Sequence, residues 1–218
     1  QPGRLAEVSG ISAERAKAIG EEFRLQVGMR QLMEFFAVHH LPAELAVRTY
    51  KVYGDSTIEL LYDDPYLLMD DGLEAPFGSV DRFAIELGVA GDDPRRIEAG
   101  ILFELSYNLS AGHSFLPEEK LQSATCQLLS VEAEAVTLGI GRLLEGQRLI
   151  RDVLTGIPVI YLPQLYEAEV YCRDRLHQFA ALEFPEPHGL DAKVRRVAAE
   201  SGIQYSAEQF RAIRQSAT

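Results

Sequence analysis

Gly10, Ile11 and Ser12, with Arg15 and Lys17 about one turn further on, are the first residues of this chain whose types and spacing could do chemistry. A glycine can take positive φ and end a helix, a hydrophobe beside it can plug the gap to the next helix, and a serine can cap that next helix. The backbone N–H groups at such a junction, with the positive end of the second helix, form a seat for a phosphate oxygen. Arg15 and Lys17 add charge to it. A seat of this kind reads no base, so a nucleic acid held there is held independently of sequence.

The spacing is that of the helix-hairpin-helix pattern, hxxhxGhGxxxAxxh. Leu5, Val8, Gly10, Ile11, Ala16 and Ile19 occupy its positions, with Ser12 at the second glycine. Thirty residues later "VHHLPAELAVRT" aligns with this stretch without a gap: His40 for Gly10, Leu41 for Ile11, Pro42 for Ser12 and Ala46 for Ala16. Leu41, Arg48 and Lys51 are the candidate contacts of this copy, although Pro42 removes one donor and His40 must take the turn that glycine makes cheaply. A duplicated hairpin is expected to bury two faces against each other and to span two phosphates. A third copy at Glu74–Gly88 keeps neither hairpin glycine and lies among acidic residues, so no phosphate is expected there. The bland alternative is that all three copies serve only as packing units.

Other constellations carry less. His39 and His40 are adjacent and diverge by about 100° on a helix, which rules out a shared ion. His113, His177 and His188 have no Cys or carboxylate at ligand spacing, and Cys126 and Cys172 have no CxxC partner. The pairs Asp63–Asp64, Asp70–Asp71 and Asp92–Asp93 flank prolines or turns, where they act as caps. GxSxG and GxxxxGK[ST] are both missing from the sequence. No catalytic residue and no metal site is expected.

The elements that must position the hairpins are mostly helical. Periodicity predicts short amphipathic helices over 13–25, 29–38, 43–53, 55–62 and 79–88, with Gly10, Gly54 and Gly88 as stops and Pro42 and Pro65 as starts. A long helix is expected from 94 to about 111, then the extended "HSFLP", helices near 117–128 and 131–145, and a β-hairpin around Thr155 and Gly156. A further helix should run from Pro163 to about Glu183, followed by two short ones. Three helices closed by a hairpin outline a winged helix. Its third helix carries Glu132 and Glu134 in its N-terminal half and no base-reading Arg, Asn or Gln there. The expected fold is therefore mainly α: a tandem helix-hairpin-helix module at 1–91, a winged-helix-like connector at 92–183, and a linker with C-terminal helices at 184–218.

With 218 residues, 47% of them hydrophobic, the chain can bury one large core or two small ones. The net charge of −12 argues against nucleic acid as a whole, but it is unevenly spread. Residues 1–54 carry a net +1, 55–91 a net −8, 92–166 a net −4 and 167–218 a net −1, so DNA is expected at the N-terminal fifth. No apolar run approaches the roughly 20 residues of a membrane span, and the start "QPGRLAEVSG" has no signal-peptide pattern. A cytoplasmic location without membrane contact is the expectation.

The order of segments resembles the N-terminal region of the RecD-like ATP-dependent DNA helicases, the exodeoxyribonuclease V alpha-subunit type of superfamily 1. "LAEVSGISAERAKAIGEEF", "FFAVHHLPAELAVRTYKVYGDSTIELLYDDPYLL", "GSVDRFAIELGV", "VIYLPQLYEAE" and "YSAEQFRAIRQSA" carry the resemblance across nearly the whole chain. Where that family has a GIGF-type hairpin in its third copy, this chain reads "EAPF". The resemblance implies that Ser206, Glu208, Gln209, Ala212 and Ile213 form the family's Q motif, whose glutamine recognises the adenine of ATP. It implies that the phosphate-binding loop would follow Thr218, so that ATP and Mg belong to a longer parent and the present chain hydrolyses nothing. It further implies a cytoplasmic bacterial parent moving 5′→3′ on single-stranded DNA in repair or recombination, with the motor domains as a second partner. Two other readings stay open: a scaffold module whose vestigial hairpins and acidic faces dock on a protein, and a winged-helix regulator.

Overall fold

The computed structural model describes residues 12–70, 72–73, 75–182 and 188–216. Its chain divides into two units, 1–166 and 167–218. Unit one begins with α1 (Ala13–Val38) and α2 (Ala43–Tyr53). A 3₁₀ turn at Gly54–Ser56 leads to α3 (Thr57–Asp63), and a second at Pro65–Met69 precedes α4 (Phe77–Glu86). Then follow α5 (Pro94–Ser110), β1 (Phe115–Pro117), α6 (Glu118–Leu129), α7 (Ala133–Glu145), β2 (Ile150–Leu154) and β3 (Ile157–Tyr161). Helix α8 (Pro163–Ala180) starts before residue 166 and continues into unit two, which also holds α9 (Leu190–Ser201) and α10 (Ala207–Ser216).

The two helices expected at 13–25 and 29–38 are one. Gly28 lies inside α1 with an ordinary helical backbone, because a lone glycine costs a helix only about 1 kcal/mol. Its missing side chain serves packing instead: a Cβ there would come within 2.6 Å of the Tyr50 hydroxyl and 2.8 Å of Asp55 Oδ1. The stops at Gly54 (φ 60°) and Gly88 (φ 92°) and the start at Pro42 are where periodicity placed them. The three helices and hairpin expected after residue 94 are all formed. "HSFLP" adds a strand, which pairs antiparallel with β3 so that the sheet order is β1-β3-β2. Thr155 (φ 50°) and Gly156 (φ 84°) close the β2–β3 turn, as a two-residue hairpin requires.

One contiguous apolar core runs from Leu32 and Phe36 of α1, through Leu45, Leu61 and Phe83, to Ile97, Ile140 and Ile160, and so crosses residue 91 without a break. Each of these fully buried side chains contributes roughly 1.5–3 kcal/mol of transfer free energy. A polar staple reinforces the crossing. Buried Arg96 of α5 donates to both carboxylate oxygens of Asp81 on α4, at 2.8 and 2.9 Å, and to the carbonyls of Gly91 and Leu129 at 2.6 and 3.1 Å. Tyr66 donates its hydroxyl to the same carboxylate at 2.7 Å, and burial, followed by that bond, pushes its phenol far above the ordinary range. In unit two, by contrast, none of the described residues of α9 or α10 is buried.

Candidate nucleic-acid interface

The turn between α1 and α2 is built from backbone hydrogen bonds. His40 takes φ 56°, its N–H donates to Ala37 O at 3.3 Å, and the Leu41 N–H reaches back to Phe36 O at 2.8 Å. This is the doubly bonded helix ending that a left-handed residue makes possible, here on a histidine rather than a glycine. Leu41, expected among the contacts, is instead the plug: it is buried and its N–H is spent. His39 locks the turn onto α4. Its ring meets those of Phe35 and Phe83 at 4.7 and 5.0 Å, and its Nδ1 lies 3.4 Å from Glu86 Oε2.

Beyond the turn, α2 starts on Pro42, which offers no side-chain cap. The first-turn N–H groups of Ala43 and Glu44, both exposed, have no partner four residues earlier within α2 and point outward from it. Arg48, half-buried and engaged within the fold, and Lys51, exposed, follow on the same face as Glu44. The third copy shares the uncapped proline start. Gly72 takes φ 86°, Leu73 is buried, and Pro76 starts α4 without a side-chain cap. Glu74, where the notional hairpin begins, lies outside the described residues.

The first copy is described only from Ser12 onward, and Gly10 and Ile11 lie outside the described residues. Ser12 is extended (φ −71°, ψ 157°) and caps α1, its Oγ accepting the Arg15 N–H at 3.2 Å. Arg15 and Lys17 are exposed, Lys17 lying 3.9 Å from Glu21. The two candidate seats are not brought together. They lie at opposite ends of the 26-residue α1, about 39 Å apart at 1.5 Å per residue.

Other candidates resolve into structure. The N-terminal half of α7 is acidic and tied to α6, the Gln122 side chain donating to Thr137 Oγ1 at 2.6 Å and Ala133 O at 3.2 Å. Asp93 caps α5 and holds Arg95 at both carboxylate oxygens, and this pairing draws its carboxyl below the usual range. Burial pushes the Asp64 carboxyl up. No described group of His, Cys, Asp and Glu could hold a metal ion, and no described helix is long and apolar enough to cross a membrane.

Residues 25–115 match the family described as the ATP-dependent RecD2 DNA helicase HHH domain. The chain is also 27% identical over 179 residues to the ATP-dependent RecD2 DNA helicase of Deinococcus radiodurans, covering 77% of this chain and 25% of that protein. The chain is a distant RecD2 homologue over most of its length. It spans about a quarter of the length of that RecD2 relative. The matched segment contains the His40–Pro42 turn and the helix start at Pro76, whereas Ser12 precedes it. In unit two, Gln209 makes a reciprocal cap on α10: its Oε1 accepts the Ser206 N–H at 3.0 Å, and Ser206 Oγ accepts the Gln209 N–H at 3.2 Å. This S-x-x-Q cap is a structural role that the motif spacing alone also encodes.

Proposed function

We propose that the chain is the DNA-binding and positioning region of an ATP-dependent 5′→3′ DNA helicase of repair or recombination, holding the sugar-phosphate backbone without reading sequence. The observation that carries this is the α1–α2 turn, a helix-hairpin-helix ending with its hydrophobic plug seated and the uncapped start of α2 beside it, inside a segment that matches a RecD2 HHH domain. The α2 seat would take one phosphate with Lys51 and Arg48 supplying charge; Gly10, Ile11, Ser12, Arg15 and Lys17 would make the second. The order helix, strand, helix, helix, strand, strand over 94–161 supports a winged-helix-like connector, whose acidic third helix suits protein contact better than a DNA groove. By the same reading, Gln209 would meet the adenine of ATP in a longer parent through the amide donors its cap leaves over, and Mg would accompany the nucleotide there. A cytoplasmic site of action belongs to this proposal.

The test is fluorescence anisotropy of the chain with random single-stranded and duplex oligonucleotides at low and near-physiological salt. Sequence-independent binding that weakens steeply with salt is the expected result. Unchanged affinity in a folded Gly10→Asp variant would remove the first seat from the account. A second reading, a scaffold that docks on a basic protein surface or on its parent's motor, is favoured by the net −8 of residues 55–91. It requires protein binding that survives excess DNA competitor.

A further inference from the structure

None of the 18 residues of α8 is buried, and four of them form an apolar stripe. At about 100° per residue, Ala168, Leu176 and Phe179 all lie within about 40° of Cys172, on one face of the helix. All four are exposed, Leu176 at 67% and Phe179 at 56%. A helix in a folded chain draws most of its stability from packing such a face, and this one is left in solvent.

The charges beside the stripe say what fits it. Glu169 and Arg173 lie along one edge, four residues apart, and Arg175 lies along the other. Two copies of α8 laid antiparallel and crossing near residue 171 set Glu169 of each against Arg173 of the other, twice over by the two-fold symmetry. The stripes then face each other, with the small Ala168 and Cys172 near the middle, where the helices come closest, and Leu176 towards the ends. A parallel pairing instead sets Arg173 of one copy against Arg175 of the other, so like charges meet and the helix dipoles align unfavourably. Glu169 is also engaged within its own chain, and Arg173 lies 2.8 Å from its neighbour Asp174. Exposed contacts of that kind are worth little, and a carboxylate and a guanidinium each have more than one bond to give.

We propose that the exposed face of α8 is a self-association surface whose partner is a second copy of this chain, laid antiparallel. The proposal stands independently of the DNA-binding reading. One helix face is at the small end for an interface, so a weak, concentration-dependent dimer is expected.

The experiment is sedimentation equilibrium of the 218-residue chain from low to high micromolar concentration. A rise in mass towards twice the monomer is expected. Leu176→Glu, which puts two charges into the apolar contact, should leave the chain monomeric over the same range. Its circular dichroism should not change, since Leu176 is not buried in the single chain. Arg173→Glu should weaken the dimer about tenfold, two attractive pairs becoming two repulsive ones, and Glu169→Arg combined with Arg173→Glu should restore it. A parent chain that stays monomeric throughout overturns the proposal and assigns the face to a different partner. A dimer that Leu176→Glu does not disturb overturns it as well, and a dimer that the charge swap fails to restore overturns the antiparallel pairing.

Discussion

Arg96 is 7% exposed and surrounded by acceptors, so its removal leaves the part-buried Asp81 carboxylate without its counter-charge. Arg96→Ala is expected to cost about 3–5 kcal/mol in urea denaturation, because stranding one member of a buried pair costs more than the pair is worth. The double variant Arg96→Met with Asp81→Leu should recover much of that loss. At Asp93 the prediction is one of pH. Its folded carboxyl lies below the unfolded value of about 3.9, so its contribution is fully present above that value and disappears as pH falls through the folded one. Asp93→Ala should therefore be less stable than the parent by about 1 kcal/mol at pH 7, as for other lost caps, and the gap should narrow in acid as pH falls below the unfolded value of about 3.9. Urea midpoints measured at neutral and acid pH check this. The role of Arg96 is not legible from its neighbours in sequence, since it finds its partners on α4 and at the end of α6, whereas the cap at Asp93, followed by Pro94, is local.

Between elements, small residues set how closely helices approach. A Cβ on Gly139 of α7 would lie 2.7 Å from Ile97 Cγ2 and 2.9 Å from Ile101 Cδ1, both on α5. Gly139→Leu is therefore expected to destabilise unit one by about 1–3 kcal/mol through overpacking, visible as a lowered thermal midpoint. Gly139 and Gly28 also show what periodicity can and cannot tell. Helix ends at Pro42, Gly54 and Pro94 and the turn at Thr155–Gly156 were readable because proline and positive-φ glycine act locally. The interruption that periodicity predicts between 25 and 29 does not form, and the use of Gly28 there depends on Tyr50, on another helix. The hairpin spacing at His40 and Leu41 likewise pointed to the right turn, whereas the separation of the two seats followed from the unbroken length of α1.

Across the whole chain, burial is concentrated in unit one, and the described residues of α9 and α10 contribute none. Amide hydrogen exchange should accordingly be slowest in α5 and α7 and faster by orders of magnitude in α9 and α10, where opening exposes little apolar surface. DNA binding, if it uses the hairpin seats, should respond to each cation separately: Lys51→Ala is expected to reduce the slope of log affinity against log salt by about one unit without changing sequence preference. The unbroken α1 adds a mechanical consequence. From Gly28, where Tyr50 and Asp55 press against the helix, to Ser12 is a lever arm of about 24 Å at 1.5 Å per residue, so a tilt of roughly 10° at its root would carry the tip about 4 Å. Since that displacement exceeds a hydrogen-bond length, a bulkier side chain at Gly28 would mistune the aim of Ser12 from a distance.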